Sequence, residues 1–69
     1  MNRKAMGKNI RKRLIDAEMT QHELAEKVGL TDVTVSRYLN GQRQPTAYAL
    51  YRISKALRVS MEYLMQGVE

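Results

Sequence analysis

Between Thr31 and Arg37 the chain reads Thr-Asp-Val-Thr-Val-Ser-Arg, side chains that suit the edges of nucleic-acid bases and the phosphates beside them. Arg37 can give two parallel hydrogen bonds to O6 and N7 of guanine, worth about 1–3 kcal/mol of discrimination. The competing uses of Arg37 are a phosphate contact or a free surface cation. Val33 can rest on thymine methyl groups in a groove, or pack locally as a half-exposed valine. Asp32 can accept from cytosine N4 or adenine N6. It also suits the first turn of a helix, where the dipole favours a carboxylate, and phosphates would repel it. Ser36 and Thr34 can bond to bases or phosphates and carry little specificity alone. Catalysis finds no comparable set. There is no cysteine, one histidine (His22) and no close carboxylate pair away from helix surfaces. Glu23 and Glu26 fit a helix cap and a solvated face. Thiolate and histidine-cluster metal sites are excluded, so neither metal nor cofactor is expected.

For these residues to share a face, residues 31–39 must be helical, with Val35 and Leu39 inward. The helical period dominates the whole chain, and no segment alternates long enough to be a half-buried strand. Ile10, Leu14 and Ala17 place a first helix over about Met6 to Glu18, with Lys8, Arg11, Lys12 and Arg13 on its other face. Thr20 and Glu23 form a capping box for a second helix, with Leu24, Ala25 and Val28 inside and Gly29 as its stop. Thr31 caps the third helix, which Asn40-Gly41 ends. After a loop over Gln42 to Pro45, Thr46 caps a fourth helix with Leu50, Ile53 and Leu57 inside. Ser60 caps a short fifth with Leu64 inside, closed by Gly67. The expected fold is all-α, a compact five-helix bundle over residues 6–67. Residues 1–5 are expected as a flexible basic arm, either disordered or reaching a groove. The pair of short helices separated by Val28 to Thr31 is a helix-turn-helix, a unit that places its second helix in the major groove of DNA.

Charge points the same way. Lysines and arginines number 12 against 7 acids, and six of the cations precede the first acid, Asp16. From Val33 to Met61 there are Arg37, Arg43, Arg52, Lys55 and Arg58 and no acid. This asymmetry attracts a polyanion; the bland use is a solvated basic surface. With 69 residues the chain is one domain that buries only about 60% of its unfolded surface. Without disulfides, helix packing remains to stabilise it, with or without dimerisation. No apolar run approaches the roughly 18 residues of a membrane span, and no secretory signal is present. The cytoplasm is the expected compartment.

At Thr20-Gln21, Glu23-Leu24-Ala25, Val28-Gly29, Val35-Ser36-Arg37, Asn40-Gly41, Pro45, Lys55-Ala56-Leu57, Val59-Ser60 and Leu64 the chain resembles the lambda-repressor-like (Cro and repressor type) helix-turn-helix family. The resemblance runs from about Met6 to Gly67. Temperate-phage repressors look especially similar, through Met6-Gly7, Ile10-Arg11 and Tyr63-Leu64. It implies base contacts from Asp32, Val33, Ser36 and Arg37. It implies phosphate contacts from Gln21, Thr31, Thr34, Asn40, Arg43, Thr46 and Arg11, with Arg13 secondary. Gln21 also suits a phosphate at the positive end of its helix, or a plain first-turn role. His22 is expected to be exposed, with no partner implied. Family members pair through the C-terminal helix, which puts Met61, Tyr63, Met65 and Val68 at a homodimer interface; ordinary packing is the other use of these residues. One departure is informative. Many members have arginine at the position of Leu14 and glutamate at that of Leu39, forming an ion pair. Leucine at both positions replaces a largely buried pair without stranding either charge, and the two leucines are expected to touch.

The function implied is a sequence-specific double-stranded-DNA-binding regulator, a phage or prophage-type repressor. It would bind a palindromic operator as a dimer, with recognition helices roughly 34 Å apart. The alternative is an antitoxin or a restriction–modification controller whose main partner is another protein. No small-molecule ligand is expected, because a chain of this length has no room for an inducer or self-cleaving domain.

Overall fold

The computed structural model describes residues 2–68 and contains five helices in the expected order: α1 (Arg3–Asp16), α2 (Gln21–Val28), α3 (Asp32–Leu39), α4 (Ala47–Leu57) and α5 (Met61–Leu64). Each start is a side-chain cap that satisfies a backbone N–H with no partner inside its helix. Thr20 accepts from the N–H of Glu23, and the Glu23 carboxylate accepts from the N–H of Thr20 at 2.9 Å, completing the capping box. Thr31, Thr46 and Ser60 accept in the same way from Thr34, Ala49 and Tyr63. Gly29 closes α2 at φ 71°, a left-handed conformation that costs a glycine nothing.

The first helix differs from expectation at both ends. It begins at Arg3, because Asn2 caps it by accepting from the N–H of Ala5. The Asn2 N–H in turn donates to the carbonyl of Val68 at 2.6 Å. Residues 2–5 therefore cap and open a helix and do not form a free arm; Met1 lies outside the described residues. The helix stops at Asp16, since Glu18 turns left-handed at φ 53° and the chain leaves towards Thr20.

One core joins all five helices. It contains Met6, Ile10 and Leu14 of α1, Leu24, Ala25 and Val28 of α2, Val35, Tyr38 and Leu39 of α3, Ala49, Leu50, Ile53 and Leu57 of α4, Leu64 of α5, and Val68. Burying each large aliphatic side chain contributes about 1.5–3 kcal/mol. Leu14 and Leu39 are both in this core. Helix α3 is held from two sides, by α1 and by α2, while α2 also packs on α4 and α5 bridges α1 and α4. The approach of α1 to α3 needs Gly7. A Cβ there would collide with the carbonyl oxygen of Leu39 and come within 2.7 Å of that of Tyr38.

Two polar side chains of α1 tie down the far end of the bundle. The Asn9 amide donates to the carbonyls of Leu64 (2.9 Å) and Gln66 (2.8 Å). The Arg13 Nε donates to the carbonyl of Leu57 at 3.2 Å. The Leu57 and Leu64 carbonyls end α4 and α5, where carbonyls lack partners within their own helix, and Gln66 follows α5. A helix with few apolar residues is thus fixed on both sides, and α3 gains a rigid support.

Candidate nucleic-acid interface

With Val35, Tyr38 and Leu39 buried, the rest of α3 faces outward. Asp32, Val33 and Arg37 are exposed, Ser36 is half-buried, and 59% of the Val33 surface is open to solvent. These four expected base-contact residues line one shallow hollow together with Gln21 and Gln42. Gln21 reaches it from α2, where its Nε2 donates to the carbonyl of Asp32 at 3.2 Å. The hollow therefore combines a cation, a carboxylate, a hydroxyl, two amides and an isolated aliphatic group. That mixture can distinguish hydrogen-bonding base edges from a thymine methyl. The ion pairs among the described residues join Arg13 to Asp16 and His22 to Glu26 and Asp32, leaving the Arg37 guanidinium uncommitted.

Among the expected phosphate-contact residues Gln21 lies in this hollow, and the others fall into two groups. In one, Thr34, Arg43 and Thr46 line a second hollow, with Tyr38, Tyr48 and Arg52. Thr31 adjoins them. Its hydroxyl accepts from the N–H of Thr34 and donates to the Thr34 Oγ1 at 2.9 Å, so the Thr34 hydroxyl keeps its own hydrogen for an outside acceptor. In the other, Arg11 donates to the Asn40 side-chain oxygen at 3.3 Å, and the Asn40 amide donates to the Ser36 hydroxyl at 3.4 Å. This chain links α1 to the end of α3. The loop is fastened to the same helix, because the Arg37 carbonyl accepts from the N–H groups of Gln42 (2.9 Å) and Arg43 (3.3 Å). The expected base-contact and phosphate-contact side chains are thereby tied into one frame.

Over residues 10–64 the chain matches the family model for the helix-turn-helix. The chain belongs to the helix-turn-helix family. Its fold is that of the lambda-repressor-like helix-turn-helix proteins. Repressor protein C2 of Salmonella phage P22 is 34% identical over 67 residues, covering 97% of this chain and 31% of that protein. The helix-turn-helix transcriptional regulator DicA of Escherichia coli (strain K12) is 33% identical over 64 residues, covering 93% of this chain and 47% of that protein. The chain thus spans less than half the length of either relative. Among solved structures, the P22 c2 repressor in complex with a synthetic operator superposes with a TM-score of 0.84 at 34% identity, over 90% of this chain and 94% of that one.

The C-terminal set expected at a dimer interface does not stay together on this helix-turn-helix domain. Met65 is exposed, and Met61 and Tyr63 are half-buried against the core. Val68 is 4% exposed and belongs to the core, so it has no surface to offer a partner. Gly67 at φ 76° turns the chain back so that Val68 packs inward. Three residues near the site carried no sequence expectation as contacts. Gln42 enters the reading hollow through its tether to Arg37, whereas Tyr48 and Arg52 extend the Arg43–Thr46 hollow along α4. The sequence signal for Tyr48 and Arg52 was their spacing of four, which stacks the guanidinium over the ring at 5.6 Å.

His22 is exposed, as expected, but not alone. Its Nδ1 lies 3.0 Å from both carboxylate oxygens of Asp32, and its Nε2 lies 2.7 Å from Glu26. The hydrogen bond and charge of Asp32, followed by the charge of Glu26, hold the His22 pKa above its ordinary value. Helices α2 and α3 therefore meet through a histidine–carboxylate contact.

Proposed function

We propose that this chain is a sequence-specific double-stranded-DNA-binding transcriptional repressor that acts in the cytoplasm on a palindromic operator as a homodimer. The observation that carries this reading is the hollow on α3, where exposed Val33 and Arg37 and half-buried Ser36 stand beside Gln21 on a helix braced from two sides. The operator complex of the similar P22 repressor supports a duplex as the ligand. In this reading Arg37, Val33, Ser36 and Asp32 meet base edges. Gln21, Thr31, Thr34, Asn40, Arg43, Thr46 and Arg11 meet phosphates and set the register. Met61, Tyr63 and Met65 supply the pairing surface, without Val68. Two recognition helices about one helical turn apart would then read inverted half-sites. Occupying a promoter in this way excludes polymerase.

Selection of bound sites from a pool of random duplexes tests the reading. The expected product is a two-fold symmetric consensus whose half-sites are centred about 10–10.5 base pairs apart or a multiple of that. Equal affinity for selected and random duplexes at one salt concentration would remove sequence-specific recognition. An asymmetric single half-site would remove the dimer.

A further inference from the structure

We infer that His22 is a positioning residue for the recognition helix: its imidazolium clamps Asp32 and partly offsets its charge, and this makes operator affinity depend on pH. The inference rests on the DNA-reading function proposed above and gives a role to a side chain outside the reading hollow.

The geometry favours the doubly protonated ring. Both ring nitrogens face carboxylate oxygens, Nδ1 those of Asp32 at 3.0 Å and Nε2 that of Glu26 at 2.7 Å. Neutral imidazole has a single N–H, so its bare nitrogen would meet an oxygen lone pair. Only the imidazolium donates to both. Gln21 holds the Asp32 carbonyl from the same end of α2, so the first two residues of α2 fix Asp32 by backbone and side chain together. The other charges near His22 do not replace it. On α2 the Glu23 carboxylate is turned to the N–H of Thr20, and Lys27 gathers with Arg52 and Lys55 of α4 in a separate hollow. On α3 the facing charge is Asp32 itself.

Asp32 is the one acid in the reading hollow. Left alone, its carboxylate repels approaching phosphates and is free to change rotamer. Held by a cation, it presents a fixed acceptor edge and its charge is partly offset, the same imidazolium also facing Glu26. As pH rises through the raised pKa of His22, the clamp opens and the full negative charge returns to the front of α3. Affinity is therefore high on the acid side of this transition and lower on the basic side. The same clamp adds folding stability that is fully present below the unfolded histidine value of 6.5 and is lost as pH rises through the higher folded value.

His22 is the only histidine, so its ring protons report its titration directly by NMR. The midpoint is expected to be higher in the wild-type protein than in Asp32→Asn; equal midpoints overturn the clamp. Affinity for the selected operator is then measured at about pH 6 and about pH 8.5, on either side of the histidine range, at constant ionic strength. Wild-type affinity is expected to fall several-fold from the lower pH to the higher. His22→Ala should be weak and nearly pH-independent, and His22→Arg, a cation throughout, should keep its acid-side affinity at the higher pH. In an Asp32→Asn background, His22→Ala should have little further effect. A wild-type pH slope retained by His22→Ala, or a His22→Ala loss undiminished in Asp32→Asn, overturns the inference while leaving DNA recognition standing. Failure of every variant to bind any duplex removes the DNA reading, and the NMR midpoints still decide whether the clamp exists.

Discussion

Replacing Gly7 by alanine sets two effects against each other, and the contact between α1 and α3 decides the sign. Gly7 lies inside α1, where alanine is favoured over glycine by roughly 0.5–1 kcal/mol. On propensity alone the variant should be more stable. The new methyl would, however, lie 2.7 Å from the carbonyl oxygen of Tyr38 and closer still to that of Leu39. Ordinary C···O contacts are about 3.3 Å or longer. Both obstructing atoms are main chain at the end of a helix, so no rotamer change relieves the clash and α1 must move off α3. Overpacking costs about 1–3 kcal/mol, and immovable neighbours place this case at the upper end. The net loss is about 2 kcal/mol, which lowers Tm by roughly 8–16 °C in a domain of this size. The assay is thermal unfolding of Gly7→Ala beside the wild type, followed by operator affinity well below both midpoints. Affinity should also fall, because α3, which lines the hollow, loses its support from α1. A variant that melts at or above the wild-type temperature would show that the two helices have room to spare and would refute the reasoning.

Arg37→Ala should leave stability nearly unchanged and relax sequence choice at one base pair of each half-site by about 1–3 kcal/mol, read by competition between point-substituted operators; uniform weakening across all sites would reassign Arg37 to a phosphate. Arg43→Ala should do what Arg37→Ala does not, weakening every duplex alike and reducing the salt slope by about 0.9 for each phosphate it leaves without a cation. Leu14→Arg and Leu39→Glu should each cost about 3–5 kcal/mol by stranding a buried charge, and the double variant should recover much of that in denaturant unfolding. No recovery would mean that the two side chains do not face each other. Glu23 is held below its ordinary carboxyl value of 4.5 by its hydrogen bonds with Thr20. Its contribution to stability is therefore present above that value and is lost as pH falls through the lower folded value. Glu23→Gln should flatten the acid limb of stability against pH, and parallel acid limbs would dismiss the capping box as its source.

The parts of the fold legible in the sequence are those governed by neighbours within a turn. Thr20, Thr31, Thr46 and Ser60 each cap a helix by bonding to the N–H three residues on, and spacings of three and four place Leu50, Ile53 and Leu57 on one face. The outward face of α3 follows from Val35 and Leu39 for the same reason. Contacts between distant segments were not legible. Asn9 to Leu64 and Arg13 to Leu57 depend on where α1 lies across the bundle, which no local pattern specifies. The His22–Asp32 contact needs the angle between α2 and α3, and Val68 turns inward because Gly67 reverses the chain. The early start of α1 was legible locally, since asparagine is a favoured cap and Asn2 stands three residues before Ala5, from whose N–H it accepts.

The hydrogen bond from Asn2 to Val68 sets the two ends of the described chain side by side. A covalent splice across that gap would span only a few residues and would ask nothing of the native backbone. Because it would restrict the unfolded chain far more than the folded one, a circular form should gain about 4 kcal/mol, as a cross-link closing a loop of this length does. The reading face, built from the middle of the chain, would be left untouched, and a domain joined beyond either terminus would emerge from one common corner of the bundle.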